Sequence, residues 1–299
     1  MNTSVTPTHI AMALLIVLIW GFNFVVVKIG LQVLPPIMFT ALRFLFAALP
    51  LIFFVKRPAV PWRLLAGYAM FQFALQFTLL FTGMKLGFPP GLASLVIQLQ
   101  AFFTIGLAIV LLGERPMITQ LLGALIAFSG MVMVGIHLEA KTTLIGFFMV
   151  CGAGLCWAIA NIFTKKIGKV NPLGLVVWAS LIATPPLILD SYIVEGTAAW
   201  ANAFARLNWA TAGAIFFQSY PNTIFAYAAW AFLMRKYAAT TIAPFTLLVP
   251  VVGILSAAFI LGEPLHWWKI TAGIMVLCGL AVNLFGRRLM AIIRLTKAH

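Results

Sequence analysis

The side chains of this chain that could do chemistry are amides, aromatic rings and one guanidinium, set inside long apolar runs. Trp20 and Asn23 stand three residues apart and Trp157 and Asn161 four apart, so each pair shares a helical face. Gln72 and Gln76, Ser94 and Gln98, and Gln218 and Asn222 repeat the four-residue interval. The last pair brackets Tyr220 and Pro221, with Tyr227 and Trp230 further along. Groups of this kind at membrane depth face a bundle interior or a wet cavity, where they suit reversible binding of a small polar or zwitterionic solute. Amides also glue helices together, which is the plainer reading for any one of them. Arg43 stands alone as a cation in its apolar stretch. It could grip a carboxylate through two parallel hydrogen bonds; equally, it could cap exposed carbonyls or hold an interface between helices.

Bond-making chemistry lacks its residues. The four His and five acids form no acid pair, His–acid pair or activated nucleophile, so a membrane-embedded enzyme is disfavoured and no catalytic residue is assigned. A glycine-rich phosphate loop ending in Lys-Ser/Thr is missing, which excludes an ATP motor within the chain. With no Asp or Glu at mid-span, a carboxylate proton relay or sodium cage is unsupported; coupling would fall to His9 or His137 near span ends, to the solute's own protons, or to its gradient alone. Cys151, Cys156 and Cys278 lie in apolar spans without His neighbours, so neither a disulfide framework nor a metal site is expected, and no cofactor.

The elements that must carry these residues are membrane helices. A chain with 64% hydrophobic and 8% charged residues and a mean hydropathy of +1.11 is no soluble globule, whose charged share is about 25%. Charge-free runs able to cross a core of roughly 30 Å fall at about 9–27, 64–84, 86–113, 117–138, 142–164, 170–189, 207–234, 237–262 and 270–286, and a tenth, 35–55, is interrupted only by Arg43. Runs so continuous lack the two-residue alternation of a membrane barrel. The expected fold is an all-α integral membrane protein of ten transmembrane helices in a lipid bilayer.

The net charge of +14 does not mark a nucleic-acid partner, because the basic residues are scattered between spans. With a cytoplasmic N-terminus, the inside segments collect Lys56, Arg57, Arg63, Arg115, Lys165, Lys166, Lys169, Arg235, Lys236, Arg287, Arg288, Arg294 and Lys297. Lys28, Lys85, Lys141, Arg206 and Lys269 fall outside, as do Glu139, Asp190, Glu195 and Glu263. That asymmetry predicts both termini in the cytoplasm. The first span lacks a basic leader and a clean cleavage site and reads as a retained helix.

The chain also repeats itself. Leu112-Gly113-Glu114 and Leu261-Gly262-Glu263 each precede a turn and a last apolar span, with Gly130 and Gly279 sixteen residues after the Glu. Earlier in each half an Asn-x4-Lys spacing follows a Trp: Asn23 to Lys28, and Asn161 to Lys166. Two repeats, 1–140 and 141–299, each of five spans, must face opposite ways across the bilayer, the inverted duplication of alternating-access transporters. Pro221, Pro244 and Pro250 remove backbone bonds and so bend or loosen the eighth and ninth spans, which suits a gate, although neighbouring helices can simply tolerate them. The second repeat has no counterpart of Arg43.

The ten-span plan, Trp20-Gly-Phe-Asn23, the Pro36 to Arg43 spacing, Pro90-Gly-Leu-Ala-Ser-Leu and both Leu-Gly-Glu endings resemble the EamA family of the drug/metabolite transporter superfamily, and within it the bacterial exporters of amino acids and their derivatives. The likeness covers nearly the whole chain and is strong in the first half, where Gly91-Leu-Ala-Ser-Leu-Val-Ile-Gln98 and Gln100-Ala-Phe-Phe-Thr104 stand as in those exporters. The resemblance implies a bacterial inner-membrane secondary exporter. Its cavity is walled by the first four spans of each half, with spans five and ten at the periphery. It carries Asn23, Arg43, Gln76, Ser94 and Gln98 over as pathway positions. The expected activity is export of amino acids and related metabolites by a monomer or weak homodimer, broad in specificity and driven by the solute gradient. The alternative is efflux of lipophilic cations, for which the superfamily's smaller pumps are expected to hold a membrane-buried Glu; this chain shows none mid-span.

Overall fold

The structure, a computed structural model, describes residues 6–113, 116–137, 144–237 and 242–296. Glu114, Glu139 and Lys141 lie outside the described residues, so the Leu-Gly-Glu ending of the first half is seen only to its glycine.

Among the described residues helices form ten rods and one short connecting helix, Gly196–Ala205. The first rod is Pro7–Gly30 and the second Pro36–Ala48, continued by a 3-10 turn at Leu51–Phe53. The third runs Trp62–Ala69, widens to a π turn at Met70–Leu75 and resumes as Gln76–Lys85. The fourth is Pro90–Val96, a 3-10 turn at Ile97–Leu99, then Gln100–Leu112; the fifth is Ile118–Ile136. The sixth and seventh are Leu144–Ile167 and Pro172–Val194. The eighth joins Trp209–Phe217, a π turn at Gln218–Phe225 and Ala226–Lys236. The ninth is described from Ile242, with a 3-10 segment, Ala243–Leu247, continued by Leu248–Leu261; the tenth is Trp267–Thr296.

Seven of these helices are long and apolar enough to cross a membrane, and Phe245–Leu261 and Trp267–Asn283 are shorter apolar helices. Outward-facing apolar side chains such as Val110, Leu125, Val132, Ile136 and Phe259 are exposed, as lipid contact requires.

Local chemistry explains the rod ends. Pro7, Pro36, Pro90 and Pro172 stand in first turns, where a missing N–H costs nothing. The repeated Leu-Gly is a stop signal: Gly113 and Gly262 close their rods in the left-handed conformation, φ +66° and +68°, which glycine adopts without a Cβ clash. Aligned on these two glycines, the π turns of the third and eighth rods coincide, and the 3-10 stretches of the fourth and ninth overlap.

The first rod packs on the ninth and eighth, the sixth on the fourth and third, the second on the seventh and the fifth on the tenth. Exchanging every rod with the one five further along leaves this pattern unchanged. The fifth and tenth rods touch through backbone: a Cβ on Gly123 would stand 2.5 Å from the Gly279 carbonyl oxygen, and one on Gly130 would stand 3.1 Å from that of Ala272.

Pro244 stands in the first turn of the 3-10 segment and Pro250 is the third residue of Leu248–Leu261, so the two flank the change from 3-10 to α helix in the ninth rod. Pro185 and Pro186, which the sequence analysis did not single out, lie inside the seventh rod, which continues through them as one α-helix.

Candidate functional site

The first, second, third and eighth rods bring polar residues of both halves together in the interior. Asn23, Arg43, Gln72, Gln76, Gln218, Ser219, Asn222 and Thr223 are all buried. The eighth rod positions half of them through its π turn. Pro221 has no N–H to return to the preceding turn, the helix widens, and polar side chains take up freed backbone groups. Thr223 Oγ1 donates to the Gln218 carbonyl at 2.7 Å, and Ser219 Oγ reaches the Ile215 carbonyl at 2.8 Å and that of Arg43 at 3.0 Å. On the adjoining strip Asn222 Nδ2 donates to Gln218 Oε1 at 3.2 Å, and Gln218 Nε2 donates in turn to Asn23 Oδ1 on the first rod. The π turn of the third rod carries Gln72, which donates to Gln76 at 3.1 Å.

Arg43 is the charge in this cluster. Its Nε donates to Thr223 Oγ1 at 3.0 Å, and its guanidinium carbon lies 3.9 Å from the centre of the Phe77 ring and 5.0 Å from that of Phe44. Nη1 and Nη2 are buried and have no acceptor among the described residues; Asn222 Oδ1 is likewise unbonded. The fully buried side chain thus keeps two donors unused, a costly state for a cation in a low-dielectric interior. An aromatic wall adjoins it. Trp20 meets Tyr227 edge to face at 5.8 Å and Trp230 at 5.3 Å, Phe73 meets Tyr227 at 6.4 Å, and Tyr227 lies within electrostatic reach of Arg43 and Gln72.

The remaining sequence candidates lie elsewhere. Ser94 Oγ donates to the Gly91 carbonyl at 2.7 Å, and its side chain fills the space over Gly253 where the fourth rod crosses the ninth. Gln98 is buried in the 3-10 turn of the fourth rod with no hydrogen bond to the cluster. Trp157 is half-buried against the apolar core. Asn161 donates to Gln100 Oε1 and Thr104 Oγ1, both at 3.0 Å, in a separate contact between the sixth and fourth rods. Tyr220 donates to the Leu49 carbonyl at 3.2 Å, at the end of the second rod. Ser219, Thr223, Gln100 and Thr104 were not among the site candidates, yet each of the two pairs has the four-residue spacing that singled out the amides.

At one end of the bundle Glu195 accepts from the Ile37 and Met38 backbone amides at 2.7 and 2.9 Å, capping the second rod, and Lys85 donates to the Leu31 carbonyl at 2.5 Å. Lys28, Arg206 and Glu195 lie near Lys85, so charges that the topology argument assigns to one side do share one end. Glu263, on the same side, sits against Gly91; burial pushes its carboxyl above the ordinary range, opposed by Lys269, the Gly91 backbone and Lys28. The two end histidines are engaged locally: His9 Nδ1 lies 2.6 Å from the Tyr237 hydroxyl, and His137 Nδ1 lies 2.9 Å from the Met133 carbonyl. Among the described residues no three His, Cys, Asp or Glu gather as metal ligands would.

Apolar, outward-facing helices around a buried polar centre suit a carrier of small solutes through a membrane. The EamA-like transporter family model matches residues 8–136 and again 144–285, and the chain belongs to that family. Proteins named "Probable amino-acid metabolite efflux pump" in Salmonella typhimurium and Escherichia coli are each 40% identical over 283 residues, covering 93% of this chain and 95% of theirs. An uncharacterized transporter of Archaeoglobus fulgidus is 28% identical over 275 residues, 90% of this chain and 95% of its own. A crystal structure 19% identical in sequence superposes with a TM-score of 0.65 over 94% of this chain and 98% of that one, and shares the fold.

Proposed function

We propose that this protein exports amino acids and related small metabolites across a bacterial cytoplasmic membrane by alternating access. In this reading the ten rods are ten crossings with both termini in the cytoplasm. Residues 1–140 and 141–299 are oppositely inserted repeats that rock about the substrate. The rod exchange pattern supports the duplication, and the names of the bacterial relatives support the solute class and direction.

One observation carries the reading: amides and hydroxyls are buried together around a single cation, beside rings of both halves, with hydrogen-bonding capacity unused. Trp20, Asn23, Arg43, Gln72, Gln76, Gln218, Asn222 and Tyr227 line the pathway. A lining with so little fixed charge discriminates modestly, so specificity is broad, and flux follows the solute gradient. Export of lipophilic cations fits poorly, because the charge at the centre is positive.

Purified protein in liposomes should release labelled Thr, Met, Phe, Trp or Cys faster than protein-free vesicles. Release of all five at the protein-free rate sinks the proposal.

A further inference from the structure

We infer that the central cluster recognises its substrate by the carboxylate, through Nη1 and Nη2 of Arg43, and does not require a charged amino group. N-acylated amino acids therefore belong to its substrates. The inference rests on the exporter reading and narrows it.

Arg43 has three donor nitrogens. Nε is committed to Thr223 and one face of the guanidinium lies on Phe77, which leaves the Nη edge, where two parallel N–H bonds match a planar carboxylate. No acid of the described chain is placed to neutralise it. Glu195 is bound to the amides of Ile37 and Met38, Glu263 sits against Gly91, and Asp190 lies in the last turns of the seventh rod. A buried cation without a counter-ion in the protein gains most from a ligand that brings one.

The same distribution of acids decides the other end of the substrate. Around Asn23, Gln218 and Asn222 the acceptors are amide oxygens, and the unused one is Asn222 Oδ1. An amide oxygen accepts from an ammonium or from the N–H of an acylated nitrogen alike. Removing the positive charge from the solute thus forfeits no ion pair, whereas removing the negative charge leaves Arg43 as it stands.

The test is counterflow of one labelled amino acid into proteoliposomes, challenged with unlabelled analogues. The N-acetyl analogue should inhibit within about fivefold of the parent, and the amide and methyl ester at least about thirtyfold less well. Arg43→Gln should keep its thermal stability and lose the distinction between acid and amide. Thermal stabilisation of wild-type protein by the acid but not the amide is expected as well, and it requires no variant. An amide as potent as the acid, or an inert N-acetyl analogue, overturns the inference while leaving the exporter reading intact. Wild type that moves no labelled amino acid overturns both.

Discussion

Asn23 and Asn161 occupy matching places in the two halves, and their surroundings differ. Asn161 donates to two neutral oxygens, Gln100 and Thr104, and the contact is closed between two rods. Asn23 accepts from Gln218, which is tied to Asn222 on the rod that reaches Arg43, and that cluster ends in unused donors and an unused acceptor. One arrangement is finished by the protein; the other needs something more. Helix adhesion calls for satisfied bonds, and binding calls for valences held open, so under the proposed function the same residue type, in the same Asn-x4-Lys spacing, serves the two tasks.

The difference can be broken in order of expected effect. Gln218→Ala removes the bonds to both Asn23 and Asn222 and should lower initial flux in proteoliposomes at least about tenfold, since each stranded buried group costs about 1–3 kcal/mol. Undiminished flux would put the central cluster in the same class as Asn161. Thr223→Val frees Arg43 Nε and should reduce flux about threefold to tenfold through a misplaced guanidinium, read as a rise in KM for the acid with the KM for its amide unmoved.

Asn161→Ala should leave flux within about twofold and lower stability by about 0.6–1.7 kcal/mol, the range of interhelical hydrogen bonds in membranes. A double-mutant cycle with Thr104→Val isolates that bond, and a Tm unchanged while transport is lost would reverse the roles of the two asparagines. The smallest effect belongs to Glu263, remote from both. Its carboxyl is raised above 4.5, so the folded state holds the proton more tightly than the unfolded chain does. Stability should therefore rise as pH falls through the folded value toward about 4.5 and level off below it. Glu263→Gln should flatten that slope in thermal unfolding in detergent.

Much of this was legible before any coordinates. Unbroken apolar runs announce membrane helices because lipid leaves the backbone no other way to satisfy itself. The four-residue spacing of Gln72 and Gln76, and of Gln218 and Asn222, put each pair on one helical face, and in the structure each pair bonds within its rod. Less accessible was which rod each pair meets. Asn23 meets Gln218 on the eighth rod, while Asn161 turns to the fourth, and only packing decides that. The π turn of the third rod has no proline to betray it. Glu195 read as a loop acid; its role as the cap of a helix in the other half depends wholly on how the halves dock.

Gly123 and Gly279 put two backbones in direct apposition, at the far edge from the polar centre. The nearest side-chain atoms there are the Cβ atoms of Ala127 and Asn283, so the seam has few teeth to strip when the angle between the helices changes, yet its closeness resists separation. On the alternating-access reading proposed above it is shaped as an axle, so a bulky residue at either glycine should seize the turning of the machine while leaving the proposed cargo-binding groups in place.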